Sequence, residues 1–279
     1  MADAYVKQGA ARRHIGEWEE ADTAYQRASS ALCDLRVAGT SWSGFLEGMA
    51  ILRMDQRQRT EAHDLASAAV EVCRKPSSSR LGQALTVEAW VTRVFDPEAA
   101  EPIAREALGL LSSSHPFYLC AESVLLASLL YSGKGELSEI CDRLATFQGI
   151  PGQYNTLKYR WLKALYKMRG GSYKCAEIRQ TMGEVIVGLA ELYPGEAAIC
   201  AMDLAEYLIR YKRYDAAREL AGDLVPVFQS LRINEEAHAA LMLYKQAAET
   251  EWRLGEDLAR GIRSELRQIP FRPPIYYQR

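Results

Sequence analysis

The sequence predicts an all-α protein, a right-handed α-solenoid of about seven helical hairpins with no sheet. Three observations predict it. Of 279 residues, 48% are hydrophobic and 25% charged, with only 10 prolines and 19 glycines, the balance of a core-forming chain and not of a disordered or collagenous one. Small and large apolar residues recur at spacings of three and four, which places them on one helical face. No run of alternating β-branched residues occurs to build strands.

The repeat carries the argument, because self-similarity at a fixed period decides the architecture before domains are drawn. The template is Gly16-Glu17-Trp18-Glu19-Glu20-Ala21-Asp22-Thr23-Ala24-Tyr25-Gln26-Arg27-Ala28: a turn glycine, an aromatic, then alternately small and large apolar residues. It returns as Ala62, Ala66 and Ala69; as Ala100, Ala104 and Ala107; and as Gly135, Leu137, Ile140, Leu144 and Phe147. Gly171, Tyr173 and Ala176 begin a fifth copy, and Tyr214, Ala217, Ala221 and Leu224 a sixth. Anchors at Ala21, Ala62, Ala100, Ile140, Ala176 and Ala217 lie 36 to 41 residues apart. That period divides the chain into about seven units.

Each copy follows a second amphipathic stretch, so the unit is a helical hairpin. Tyr5, Gln8, Gly9 and Arg12 precede the first turn; Val124, Ala127, Ser128 and Tyr131 the fourth; Ala201, Leu204, Ala205 and Leu208 the sixth. The small central residue (Gly9, Ser128, Ala205) permits close approach within the hairpin. The predicted hairpins are 2–37, 41–75, 79–112, 116–148, 153–192, 195–231 and 234–268, in one superhelical domain over 1–269, followed by a Pro-rich tail at 270–279. Asp96-Pro97-Glu98 reads as an N-cap, a proline at the first helical position and a first-turn acid. Ser114-His115-Pro116, Gly149-Ile150-Pro151-Gly152 and Tyr193-Pro194-Gly195 read as breaks between helices.

A first helix with a small eighth residue, a turn glycine, an aromatic two later, then Ala, a large apolar residue and Ala, resembles the tetratricopeptide repeat, and Gly16 to Ala28 matches it closely. The second unit departs from it with Arg57-Gln58-Arg59-Thr60 at the turn, and the fifth with Gln180 and Gly183 where large and small apolar residues belong. The usual period is about 34 residues, so the helices or linkers here are longer. Ser77-Ser78-Ser79 and Ser112-Ser113-Ser114 mark two enlarged connections. Arg53 to Arg57, Arg160-Trp161-Leu162, Leu224 to Phe228 and Glu236 to Leu241 look like the C-terminal repeat regions of uncharacterised bacterial proteins of this type. That resemblance implies the interaction half of a bacterial regulator, or a stand-alone relative.

Stacked hairpins curve into a solenoid whose first helices line a concave groove, suited to an extended or helical peptide. Arg13, Glu47, Arg93, Lys158, Trp161, Glu206 and Arg210 are expected to face that groove. A register shift of one in the fifth unit would instead make Trp161 core. The predicted function is a non-catalytic protein- or peptide-binding scaffold. The alternative is a signal-responsive regulator whose groove takes a peptide or small ligand. The carboxylate clamp for chaperone tails uses Lys and Asn, whereas the first unit offers Asp3, Val6, Ala10 and Arg13, so that mode is not expected.

Enzymatic chemistry has little footing. His14, His63, His115 and His238 lack metal-ligand spacing and read as surface or capping residues, so no metal and no cofactor are expected. Asp203 and Glu206, three apart, could pair as acids, but general acid-base work needs a cleft and a positioned substrate, so a solvated or partner-facing helix edge is the reading favoured for them. Gly16, Gly133, Gly135, Gly170 and Gly171 are turn residues and not a phosphate loop. The six cysteines lie far apart with no CxxC, as small core residues of a reducing compartment would. Net charge is -2, which gives the repeats no nucleic-acid signature. No signal peptide and no apolar run of spanning length occurs, so no membrane association and a cytoplasmic location are expected. The tail Pro270 to Arg279 is too rich in proline for helix; capping of the last hairpin, disorder, and a polyproline ligand are its three readings.

Overall fold

The structure is a computed structural model, describing residues 1–220 except 16, 36–39, 57, 75–78, 149–151, 171–174, 191–192, 212 and 215. The hairpin expected at 234–268 and the tail at 270–279 lie outside the described residues, as do the last residues of 195–231. Among the described residues there are eleven α-helices and no strand. The chain forms two compact units, built on Met1–Gly133 and on Lys134–Ile269.

The first unit holds α1 (Ala2–His14), α2 (Trp18–Leu35), α3 (Thr40–Asp55), α4 (Arg59–Arg74), α5 (Leu81–Phe95), α6 (Pro97–Leu110) and α7 (Tyr118–Ser132). α1 packs with α2, α3 with α4 and α5 with α6, as hairpins; the first helices also pack on each other in the series α1, α3, α5, α7. The second unit holds α8 (Leu137–Phe147), α9 (Gln153–Gly170), α10 (Cys175–Ala190) and α11 (Pro194–Arg210). Here α9 packs on α10, and α11 on both.

The second helix of each hairpin repeats one physical pattern. Ala21, Ala62, Ala100, Ile140 and Ala217 are fully buried. The N–H of each donates to the carbonyl four residues earlier, on Glu17, Gln58, Asp96, Glu136 and Arg213, at 2.9 to 3.1 Å. Core residues follow at four, seven and eleven: Ala66, Ala69 and Cys73; Ala104, Ala107 and Leu111; Leu144 and Phe147. The fifth unit corrects the expected anchor. Ala176 is exposed, and Ile178 takes the position, followed by Met182, Val185 and Leu189 at the same intervals. With that two-residue shift, Gln180 turns to solvent and the apparent mismatch with the repeat disappears.

The turns within hairpins also repeat. Arg12, Arg53 and Leu208 each accept a hydrogen bond from the N–H five residues on, at Glu17, Gln58 and Arg213, with distances of 3.0, 2.8 and 2.8 Å. This is the closing bond of a Schellman motif, which satisfies a carbonyl at the helix end. The sequences at the three turns differ, but the closing bond is the same. Asp96 caps α6 as expected, its side chain accepting from the N–H groups of Glu98 and Ala99, both at 3.0 Å, and Pro97 fills the first turn. Pro194 likewise opens α11 and does not simply interrupt the chain. Gly133 ends α7 at φ 73°, a left-handed conformation that glycine adopts without steric cost. No helix among the described residues is long and apolar enough to cross a membrane.

Candidate functional site

In the first unit, three successive first helices wall one cavity of about 400 Å3. α1 contributes Asp3, Val6, Lys7, Ala10 and Arg13, at the three- and four-residue spacing of one helical face. α3 contributes Ser41, Gly44, Glu47, Gly48 and Ile51 in the same manner. Arg80 and Gln83, at the start of α5, and Phe117 complete the wall. The volume falls within the range of ligand-binding clefts.

The floor is set by Tyr25, which reaches the cavity from α2. Its ring lies between two glycines, Gly9 of α1 and Gly48 of α3. A Cβ at Gly9 would stand 2.9 Å from the ring, and one at Gly48 would stand 2.7 Å from the hydroxyl. Such separations are inside van der Waals contact, so glycine at both positions is what admits the tyrosine. Gly9 was expected to serve close packing of helix on helix; what it accommodates is a side chain of the following helix. Tyr25 is fully buried. Its hydroxyl makes no hydrogen bond of normal geometry, although Arg13 and Asp55 lie close enough to act on it. Burial, the largest influence, raises its pKa and keeps it a donor.

Two arginines on the wall are each paired with an acid. The Glu47 carboxylate, 3% exposed, accepts from the Ser43 hydroxyl at 2.6 Å, from Arg80 Nη2 at 2.9 Å and from Gln83 Nε2. Arg13 donates to Asp55 at 2.8 Å. Each pair joins neighbouring first helices or flanks them: α1 to α3, and α3 to the start of α5. Lys7 is exposed. A buried carboxylate with three donors is stabilised in place and fixes the groups that donate to it.

In the second unit, α9 and α11 enclose a polar network. Trp161 Nε1 donates to Asp203 at 3.0 Å, and Lys158 lies over the Trp161 ring, 4.3 Å from its centre. Lys158 also pairs with Glu196 at 3.1 Å, which the Tyr154 hydroxyl meets at 3.1 Å. Cys200 lies beside this network; burial first, then the Asp203 charge, raises its thiol pKa well above the ordinary value. A smaller cavity of about 200 Å3 lies between α9 and α10, lined by Tyr159, Arg160, Lys163, Lys167 and Glu177 among others.

The residues expected on a groove are thus distributed. Arg13 and Glu47 line one cavity. Arg93, in the last turn of α5, does not reach it. Lys158 and Trp161 are buried, at 7% and 2% exposure, because the α9 face that carries them packs on α11. Their expected exposure is corrected, and the register that makes Trp161 core is the one observed. Glu206 and Arg210 pair with each other along α11 at 2.8 Å. Asp203 serves Trp161, apart from any pairing with Glu206. Tyr25, Arg80 and Gln83 were not anticipated. The signal for Tyr25 was present, since Gly9 and Gly48 stand one repeat apart; Arg80 lies just ahead of α5, outside any repeat template.

His115 accepts the Phe117 N–H at Nδ1, 3.1 Å, and so caps its loop. Cys73 and Cys200 are core residues as expected, but Cys33, Cys120 and Cys141 are exposed, a correction that follows from their places on outward helix faces. Among the described residues, no group of three or more His, Cys, Asp or Glu is placed to hold a metal ion.

Hairpins with one recurring core face and one recurring turn define an all-α helical-repeat protein. Among solved structures, the fold is similar to that of a Rap protein complexed with competence and sporulation factor, with a TM-score of 0.65 at 12% identity, over 96% of this chain and 87% of that one. At the level of sequence, neither a family profile nor a curated protein matches the chain.

Proposed function

We propose that the chain is a non-catalytic scaffold of the tetratricopeptide-repeat type that binds a protein or peptide in the groove of its first unit. The observation that carries this reading is the cavity built by three successive first helices, where an apolar floor meets charged groups from α1, α3 and α5. A site of that composition suits an extended peptide, whose backbone needs polar partners and whose side chains need apolar seats. A second reading is favoured by the similar Rap structure, which contains a bound factor: the same groove receives a signal, and its occupancy shifts the packing of α1, α3 and α5.

The test is selection from a displayed library of random decapeptides against the whole chain, with Ala10→Trp as the control. Ala10 lies on the cavity wall, and an indole there fills the space. Selection should converge on related sequences with the natural chain and lose them with Ala10→Trp. Convergence that Ala10→Trp leaves intact, or no convergence at all, would overturn the groove assignment.

A further inference from the structure

We propose that Ser43 is a positioning residue of the first unit's groove: bonded by the Cys73 thiol, its hydroxyl aims the Glu47 carboxylate so that Arg80 and Gln83 are fixed on the cavity wall. The proposal rests on the binding reading above and assigns a residue outside the cavity lining that orients it.

The first argument is the division of labour between the two carboxylate oxygens. Glu47 Oε1 accepts the Ser43 hydroxyl at 2.6 Å. Oε2 takes the wall groups, Arg80 Nη2 at 2.9 Å and Gln83 Nε2. Ser43 is fully buried and does not line the cavity, whereas Arg80 and Gln83 do. The terminal torsion of a glutamate is broad, so a carboxylate bonded at one oxygen can still turn. Bonded at both, its plane is set, and the wall groups are set with it.

The second argument is the direction of the Ser43 proton. A serine or threonine within a helix can donate to the carbonyl four residues back, as Thr23, Ser30, Thr86 and Ser128 do at 2.8 to 3.1 Å. Ser43 donates instead to a side chain one turn ahead. Its oxygen is the acceptor for the Cys73 thiol at 3.1 Å, which leaves the serine proton for Glu47. The bonds therefore run one way, from Cys73 of α4 to Ser43 and on to Glu47 of α3.

The third argument is where this chain of bonds sits. Cys73, Ser43 and Glu47 are all buried, among Phe45, Leu46 and Met49 of the same core. Well-packed apolar residues at such positions are often as stable or more stable than a buried charge and its partners. What the polar chain supplies is one orientation for the wall. Gly44 fits that role, since a Cβ there would approach Arg80 Nη2 to 3.2 Å. The glycine leaves the guanidinium room to lie against α3, where Glu47 receives it.

The experiment has one arm without ligand and one with it. Urea unfolding of the whole chain comes first, with circular dichroism reporting that the helices persist in each variant. Ser43→Ala should lower the unfolding midpoint, and lower it less beside Arg80→Gln, because aiming the carboxylate matters less once the group it holds is gone. An equal or larger loss beside Arg80→Gln would overturn the positioning role. Binding is then read with decapeptides selected by the natural chain. Ser43→Ala should weaken them about threefold to tenfold, the scale of one hydrogen bond. Ser43→Cys keeps a donor of similar size and should weaken them less. Ser67→Ala removes a hydroxyl that donates to Glu88 at 2.8 Å, away from the cavity lining, and should leave them unchanged. Affinities that Ser43→Ala does not move, or that Ser67→Ala lowers as much, would overturn the proposal. A library that fails to converge would remove the groove reading, while the urea measurements still decide whether Ser43 orients Arg80 through Glu47.

Discussion

Gly48→Ala separates what a helix wants from what this groove requires. In an open helical position, replacing glycine by alanine stabilises by about 0.5–1 kcal/mol, because the unfolded chain loses freedom. Gly109 in α6 and Gly183 in α10 are such positions, with nothing within 4 Å of an added Cβ. At Gly48 the methyl would sit 2.7 Å from both the Tyr25 hydroxyl and a ring carbon. The tyrosine has little room to yield, since on its other side an added Cβ at Gly9 would be 2.9 Å from the ring. Overpacking of this sort costs about 1–3 kcal/mol, so the net effect should be a loss of about 0.5–2 kcal/mol. At about 2–4 °C per kcal/mol for chains of this size, the transition of the first unit should fall by a few degrees. Melting followed at 222 nm reads it, with Gly109→Ala and Gly183→Ala expected to raise the melting temperature. Combining Gly48→Ala with Tyr25→Leu should restore part of the loss, because the shorter side chain vacates the contact. If Gly48→Ala stabilises the protein as Gly109→Ala does, the account of the Tyr25 passage is refuted.

Three further outcomes are expected. Trp161→Phe removes a donor from a carboxylate that is 4% exposed and should cost about 1.5–3 kcal/mol, read by urea unfolding; a cost near zero would show that Asp203 does not depend on the indole. The Cys200 thiol has its folded pKa raised, so its stabilising contribution is complete below the unfolded value of about 8.5 and declines as pH rises above it. Melts from neutral pH to about 10 should therefore fall less steeply for Cys200→Ala than for the natural chain, and identical slopes would contradict the burial argument. Asp96→Ala removes both side-chain bonds to the start of α6 and should cost about 1 kcal/mol, whereas Asp96→Asn should cost much less.

The core face of the second helices was legible because it is written in residue size. Ala21, Ala62, Ala100 and Ala217 are small where helices meet closely, and the spacing that follows them is helical. In the fifth unit the same position is Ile178, and a template that looked for alanine settled on Ala176 two residues early. The groove was legible only in part. Arg13 and Glu47 follow from helical position, but whether a charged residue on a first helix faces open space depends on what the next first helix brings against it. Nothing local to α9 says that Lys158 and Trp161 will be covered; the acids that receive them, Glu196 and Asp203, lie on α11 some forty residues later.

Charge on α9 shows how a repeat chain sets the order of its helices. The helix carries Lys158, Arg160, Lys163, Lys167 and Arg169 and no acid, an arrangement that repels itself when isolated. Its neighbours supply the balance. Glu184 and Glu177 of α10 pair with Arg160 and Lys167, while Glu196 of α11 takes Lys158. Most of these pairs are exposed, and each contributes about 0–1 kcal/mol, too little to hold the unit together. Their effect is on alternatives. Hairpins that share one core pattern could pack in the wrong order with nearly the same apolar burial, and only the polar edges tell one neighbour from another. Placing α9 against a helix without acids at these positions would leave its cations uncompensated, a penalty of the same sign at every site. The contrast with the first unit supports this, because Arg53 meets Asp22 and Glu61, and Arg74 meets Glu106, each a different spacing on a different helix pair. The repeating apolar face makes stacking possible, and the non-repeating charges select which helices stack.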